Sequence, residues 1–563
     1  MHIHDIIIIG GGISGLFLAY NLIQDNKYKD ILLVESSSEL GGRIRTEKLD
    51  DIPLEMGGAR FSNKHVKLLS LIKTLGYEDK IVKLPEGIDR IYHNKKITYD
   101  LTKQLNKLTD KKKDFSKKHL EKITLFQYCV EILGHEEAKK LQEMFGYDAE
   151  FLKLNAYSAL MMFQKDLMDK VSYYVLNGGL SQLITKLEFI CNESKNIEIR
   201  KNVLVKDLQD KKIKVEIDGK EDTLRALKII STMPYIETRR MDIFKDYEYI
   251  HSVKPIPLIR IYAKYPLTKG KPWFHNLKRT ITDNYIRHII PIDYDNGIIM
   301  ISYTDFYTAE MWNNYYQLGE KVLTERLHKE IFKLFKIKPP TPLKYKVYYW
   351  RGGVHMWRTR NPMDETYKKL LKPFEEKEIY LSNEAFCKHQ CWIEGSLDMT
   401  SDVLKLLKVK SIKVKSVSLT QGGGKIEKNE KNEKNEKNEK NEKNEKNEKN
   451  EKSKQSRKNK DFKQYDIKSV LRRNNWIIFE HSDKKWVYKI FSSWFKDHPG
   501  GGGRLREGIE ANSYYDETNQ ARSSKSPTQL FKSIGIHGSS NVFKEYILEE
   551  KHPSKIKIVG LLK

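Results

Sequence analysis

Four consecutive isoleucines, Ile6 to Ile9, run straight into Gly10-Gly11-Gly12-Ile13-Ser14-Gly15, and an apolar stretch from Leu16 to Ile23 follows without a break. A continuous run of branched apolar side chains is the pattern of a strand buried on both faces, as in a parallel sheet. The glycine spacing then selects one kind of turn. Gly10 permits the tight bend, Gly12 lets the backbone approach a pyrophosphate, and Gly15 lets the next helix pack on the strand. Ile13 and Ser14 open that helix, whose N-terminus faces the phosphates. A second apolar run, Ile31 to Val34, ends in Glu35, twenty residues past Gly15. A carboxylate there accepts hydrogen bonds from an adenosine ribose and disfavours a 2′-phosphate, so a dinucleotide other than NADP is predicted.

The following block, Glu39-Leu40-Gly41-Gly42-Arg43-Ile44-Arg45-Thr46, resembles the second flavin fingerprint of the amine-oxidase superfamily of monoamine, polyamine and L-amino-acid oxidases. The resemblance implies FAD rather than NAD, with Gly42 and Arg43 along its pyrophosphate. Leu54 to Phe61 resembles the family block that passes near the isoalloxazine ring, which places Gly58, Ala59 and Arg60 beside the cofactor. Asn177-Gly178-Gly179-Leu180 precedes a helix, and Asn202 to Val205 resembles the strand whose backbone reads the adenine, through Val203. Ile229 to Pro234 resembles the strand that returns to the FAD domain, and Trp350-Arg351-Gly352-Gly353 the late glycine block. Ile379 to Leu407 resembles the last flavin motif, with Glu384 at the ribityl-contacting acid, Trp392 and Ile393 beside the flavin, and Gly395-Ser396 opening the final helix. The resemblance spans nearly all of residues 1 to 410. It implies an α/β Rossmann-like FAD-binding domain (about 1–80, 175–250 and 372–410) interwoven with an α+β substrate domain (about 80–175 and 255–370).

Members of that family take a hydride equivalent from a carbon bonded to nitrogen and pass it to flavin N5, with oxygen as the usual final acceptor. The implied substrate is therefore a small-molecule amine or amino acid. Trp392 falls where the family places an aromatic side wall that aligns the amine; an ordinary core Trp before a helix is the alternative. His355 or Trp357 would supply the opposite wall. Arg60 matches a position at which L-amino-acid oxidases hold the substrate carboxylate, and a guanidinium suits that task because it pairs bidentately. Serving the FAD phosphates or a surface ion pair is the competing reading. Arg260 departs from the pattern, since the family usually has a Lys there that holds a water near N5, and Arg cannot act as a base. Asn383 stands where a glycine normally precedes the acid matching Glu384. Val354 aligns with the cysteine that attaches FAD covalently in animal monoamine oxidases, so non-covalent FAD is expected. Two further readings stay open: a flavin-dependent oxidase or desaturase of a non-amine substrate, and a non-catalytic FAD-binding interaction protein.

From Lys428 to Glu451 the triplet Lys-Asn-Glu repeats eight times. Such a tract has no apolar side chain to bury and cannot offset its ordering entropy. It divides a unit of residues 1–420 from one of 462–563, with 421–461 as a linker. In the second unit, strands are predicted at Asn475 to Ile478 and Trp486 to Ile490. Trp494-Phe495-Lys496-Asp497-His498-Pro499-Gly500-Gly501 follows and resembles the haem-binding core of cytochrome b5. The resemblance implies a b-type haem held by His498 and, from Leu530 to Ser539, by His537. Such a haem would be a second electron acceptor, and Ile558-Val559-Gly560 would be the closing strand.

The remaining composition mostly excludes. A net charge of +26 in a Lys- and Asn-rich chain comes with no nucleic-acid motif, so no specific nucleic acid is expected. Four cysteines in 563 residues make no disulfide framework. Cys387, His389 and Cys391 lie close together, but no second ligand pair follows at zinc spacing. No leader pattern or membrane-length apolar run is visible, which points to a cytoplasmic protein without a membrane partner.

Overall fold

The computed structural model describes residues 2–167 and 171–411 with their side chains and, farther on, the backbone of four strands between 476 and 562. The chain divides into two units, Met1–Ile426 and Glu427–Lys563.

In the first unit the isoleucine run becomes the strand Ile3–Ile9, in which Ile6, Ile7 and Ile8 are wholly buried. Its neighbours account for this. Ile31–Val34 pairs with it in parallel on one side and Lys220–Ser231 on the other, so that Ile7 faces both Leu32 and Ile229. Alternate side chains then enter different cores. Ile6 and Ile8 pack with Leu16 and Leu18 of the helix Ile13–Asp25, while Ile7 and Ile9 join the opposite cluster with Val203 and Val215. A strand with no polar face needs cover on both sides, which a doubly wound sheet supplies. The sheet runs Ile197–Arg200, Ile31–Val34, Ile3–Ile9, Lys220–Ser231, Lys212–Ile217, Val203–Gln209, and Ile379–Leu381 also pairs with Lys220–Ser231.

A second sheet is mostly antiparallel, in the order Lys344–Trp357, Val253–Lys264, Ile298–Asp305, His288–Asp293, Thr280–Thr282, Asp89–Tyr92, Lys95–Ile97. Its strand Val253–Lys264 shows the period-two rule at work. Ile259 and Ile261 turn into a core shared with the helices Phe306–Gln317 and Glu320–Phe335, whereas Leu258, Arg260 and Tyr262 face a cavity. The chain contributes to the two sheets alternately, with the helices between Leu101 and Asp166 inserted before the first sheet is completed. This is the interwoven α/β arrangement expected of the first 410 residues.

In the second unit the strands Ile509–Glu510, Lys484–Ile490, Trp476–His481 and Lys557–Leu562 form one antiparallel sheet in that order. Three of them fall on the segments predicted as strands. His498, His537 and the Lys-Asn-Glu repeat lie outside the described residues. Among the described residues no helix is long and apolar enough to cross a membrane.

Candidate active site

The turn that leaves Ile3–Ile9 is closed by steric necessity. Gly10 has a φ of +107°, and a Cβ there would stand 2.6 Å from Thr232 Oγ1. A Cβ on Gly15 would lie 2.0 Å from the Gly10 carbonyl oxygen, so only glycine lets the helix come this close to the strand. Gly12 is glycine for another reason: its Cβ would meet only Gly41 O, at 3.9 Å, and any side chain would fill the cavity mouth. Gly42 is equally open. The helix Ile13–Asp25 has neither a side-chain cap nor an acid in its first turn, which leaves its leading N–H groups without a side-chain acceptor. At the end of the adjacent strand, Glu35 accepts hydrogen bonds from Gly11 N (2.8 Å) and Ser37 N (2.9 Å), and Val203 N donates to Glu35 O (2.8 Å). Donors that suit a diphosphate thus lie beside a carboxylate that suits a ribose, and the backbone of Val203 completes the rim. These residues fit a dinucleotide.

From this cradle a cavity of about 1390 Å³ extends between the two sheets. Gly10, Gly12, Ile13, Ser14, Glu35, Gly42, Arg43, Gly58, Ala59, Arg60, Val203, Arg260, Glu384, Trp392 and Ile393 all line it, while Gly15 stands behind its wall. The loop carrying Gly58 to Arg60 is fixed from the second sheet. Arg260 Nη1 and Tyr262 OH both donate to Glu55 O, at 2.6 and 2.7 Å, and Trp350 Nε1 donates to Met56 O at 2.7 Å. Arg260 also lies over the Tyr303 ring, with its Cζ 4.7 Å from the centroid. The side chain at the usual Lys position is therefore tied to a carbonyl of the loop.

Arg43 Nη1 contacts Gly353 O (3.0 Å) and Glu384 Oε2 (2.5 Å). Glu384 also meets His355 Nδ1 (2.7 Å) and accepts from Cys391 N (2.9 Å). Burial pushes its carboxyl up, but Arg43 and His355 more than offset this and hold it well below the usual carboxylate range. The acid expected at the ribityl end is thus favoured in its ionised form, and its oxygens are largely engaged by protein. Cys391 adopts a φ of +71°, a left-handed conformation that a non-glycine residue adopts at a cost. That turn sends Trp392 to the cavity wall and starts the final helix at Ile393, two residues before the predicted Gly395. Trp392 stacks on Tyr173 (centroids 6.2 Å apart, 14° between planes), and Arg60 Cζ lies 5.1 Å from the Tyr173 ring and 5.9 Å from the Trp392 ring. His355 also lines the cavity, whereas Trp357 is buried behind it, donating from Nε1 to Cys387 O at 3.0 Å. Trp357 is therefore not the second wall.

Behind Trp392 stands a network that has no sequence signature. Ser62 N donates to His65 Nδ1 (3.2 Å) and Lys165 Nζ to His389 Nδ1 (2.9 Å). The Nε2 protons of both rings are thereby directed to Asp166, at 3.2 and 2.5 Å. All three side chains are buried, and the His65 ring abuts Trp392 at 4.7 Å. Two imidazoles and a carboxylate could suit a metal, but here each Nε2 carries the proton that Asp166 accepts. His389 is consequently drawn away from Cys387 and Cys391. The participants come from positions about a hundred or more residues apart, which is why no motif reveals them. Arg279, Glu150, Tyr147 and Tyr303 reach the cavity in the same unheralded way.

The family of flavin containing amine oxidoreductases matches residues 13–398. Coproporphyrinogen III oxidase of Bacillus subtilis (strain 168) is 34% identical over 94 residues, 16% of this chain and 20% of that protein. Flavin-containing amine oxidase A of Canis lupus familiaris is 36% identical over 90 residues, 16% of each chain. The sequence matches thus span a fifth or less of these relatives. The fold extends much farther. A putative protoporphyrinogen oxidase from Exiguobacterium sp. 255-15 superposes with a TM-score of 0.55 at 15% identity, over 72% of this chain and 100% of that one. A putrescine oxidase mutant gives a TM-score of 0.56 at 16% identity, over 71% of this chain and 99% of that one. With the glycine cradle, the ribose acid and the interwoven sheets in family order, the chain belongs to the flavin containing amine oxidoreductases.

Proposed function

We propose that the first unit binds FAD non-covalently and oxidises the C–N bond of an amine or amino acid. One observation carries this reading: a single cavity joins the glycine cradle to the surface formed by Trp392 and Arg60. FAD, when bound, supplies the hydride acceptor at N5. The protein's own residues do the rest. Gly12, Gly42 and the helix N-terminus seat the diphosphate, Glu35 the ribose and Val203 the adenine edge. Trp392 presents an aromatic face that aligns a nitrogen-bearing carbon and favours developing positive charge. Arg60 pairs with a carboxylate on the same substrate. Arg260 stays cationic, so it orients rather than accepts a proton. Cys391, the only thiol on the cavity wall among the described residues, is held protonated by burial, and Val354 offers no nucleophile. FAD should therefore leave with acid precipitation of the protein.

The test is anaerobic mixing of the flavin-loaded chain with monoamines, polyamines and amino acids, followed by a peroxide assay in air. Bleaching and peroxide with amino acids, reduced at least tenfold by Arg60→Met, support the reading. A flavin that none of these compounds reduces favours a non-amine substrate, the second reading, which the partial match to a coproporphyrinogen III oxidase also favours.

In the second unit a b-type haem on His498 and His537 is proposed from the sequence resemblance. A Soret band that His498→Ala removes would support it, and a purified chain without one would end it. Electron transfer from flavin to that haem requires the band to shift when substrate is added without oxygen.

A further inference from the structure

Six arginines line the cavity; Arg43 and Arg240 pair with carboxylates and Arg351 is exposed, whereas Arg60, Arg260 and Arg279 form no ion pair with a carboxylate among the described residues. They arrive on separate segments. Arg60 follows the Gly57–Ala59 loop, Arg260 sits in the middle of Val253–Lys264, and Arg279 directly precedes Thr280–Thr282. Arg260 is 8% exposed and uses Nη1 on Glu55 O, and Arg279 Nε is buried without a partner. Tyr147, Tyr173 and Tyr303 surround them with aromatic faces rather than with counter-charges.

The acids on the same wall do not fill that role. Asp166 is taken by His65 and His389, and Asp305 accepts from Asp148 N and Ala149 N at 3.0 and 2.8 Å. Glu55 accepts from Leu180 N and Thr46 Oγ1 at 2.6 and 2.9 Å, and burial pushes its carboxyl up to about 7 although Arg260 pulls it down, so it is at most a partial counter-charge for Arg260. Glu150 has no partner on Oε2, and burial together with Asp305 raises its carboxyl to about 8 although Arg60 pulls it down, which favours the neutral form. Arg279 is itself lowered to about 10 by burial and by Arg60, which leaves it charged at neutral pH.

Uncompensated cations are costly to hold away from water, as Arg260 is and as the half-buried Arg60 and Arg279 become once the cavity is filled, and arginine cannot escape by losing its proton. The FAD diphosphate does not supply the missing charge. It belongs at the Gly12 end of the first sheet, with Arg43, whereas Arg260 and Arg279 project from the second. One substrate carboxylate brings a single negative charge to three guanidinium groups.

We propose that the cavity selects a substrate with at least two anionic groups, one held by Arg60 and a second by Arg279, with Arg260 as the third cation on the same wall. This rests on the reading that the cavity holds flavin and substrate together, but not on the substrate being an amine. The structure thus assigns Arg279 as a specificity-determining residue.

The probes are succinate, glutarate and benzene-1,3-dicarboxylate as dianions, butyrate and benzoate as monoanions, and butyramide as a neutral control. Each is titrated into the FAD-loaded full chain while the flavin absorption band is followed. Dianions should bind about 10- to 100-fold more tightly than monoanions, the worth of one added charge-assisted hydrogen-bond set in a desolvated site, and butyramide should not perturb the band. Arg279→Gln should collapse that ratio to about one, and Arg279→Lys should restore part of it. Equal affinities for the two classes, or a ratio that survives Arg279→Gln, would overturn the proposal. Should Arg279→Gln lose its flavin, the wild-type ratio decides alone. Dianion binding without oxidation of any nitrogen compound ends the amine reading and leaves this one standing. Oxidation of uncharged amines with no dianion preference does the reverse.

Discussion

At the scale of single residues, the cradle is defined more by side chains that are missing than by those present. Gly12 faces open cavity, so Gly12→Val should fold, because its first Cβ contact is no nearer than 3.9 Å, yet bind FAD at least tenfold more weakly. Flavin absorbance per protein after gel filtration measures this, and full flavin content in the variant would remove Gly12 from the site. Glu55 makes a different kind of prediction. Burial pushes its carboxyl up to about 7, against the hydrogen bonds from Leu180 N and Thr46 Oγ1. Its folded value lies above its ordinary value of 4.5, so the native state holds a proton that the unfolded chain releases. Its contribution is complete below about 4.5 and is lost as pH rises through about 7. Melting temperature should therefore fall across that window, and Glu55→Gln, which is neutral throughout, should flatten the slope. An unchanged slope would show that the carboxyl is ionised in the fold.

At the scale of elements, the consequential contact is between the second sheet and the Met56–Arg60 loop. Arg260, Tyr262 and Trp350 stand on two paired strands and hold two successive carbonyls, Glu55 O and Met56 O. A rigid sheet thus fixes the backbone that presents Arg60. Trp350→Phe keeps the ring's bulk and removes one donor, leaving the Met56 carbonyl unsatisfied, at a cost of about 1–3 kcal/mol. The expected result is a several-fold loss of carboxylate affinity with flavin content retained. An equal loss for neutral and carboxylate ligands would mean that the loop is held by other means. The same tie explains the departure at Arg260. Its guanidinium carries donors for the Glu55 carbonyl and retains others for the cavity, a division that a single ammonium makes less well.

At the scale of the whole molecule, the site exists only because the chain passes between two sheets and back. The proposed phosphate and ribose contacts come from the first sheet, loop support and two of the three arginines from the second, and Trp392 from the segment that returns last. Emptying or filling such a cavity should therefore couple to global stability. FAD at a hundred times its dissociation constant should add about 2.7 kcal/mol. Calorimetry of the full chain with and without FAD checks this, and an unmoved transition would mean that the first unit does not bind the cofactor.

Sequence alone determined the cradle, because its requirements are local: a strand with no polar face, glycines at fixed offsets and an acid at the end of the neighbouring strand act over a few dozen residues. The interwoven plan was legible too, since each flavin block keeps its order along the chain. Tertiary structure decided the rest. Only folding brings His65, Asp166 and His389 behind Trp392, separates His389 from the two cysteines that flank it in sequence, and buries Trp357 behind the wall it was expected to form. The choice of Arg60, Arg260 and Arg279 as companions is likewise a property of the fold. Electrostatic meaning depends on which charges share one desolvated space, and that sharing is not written in spacing along the chain.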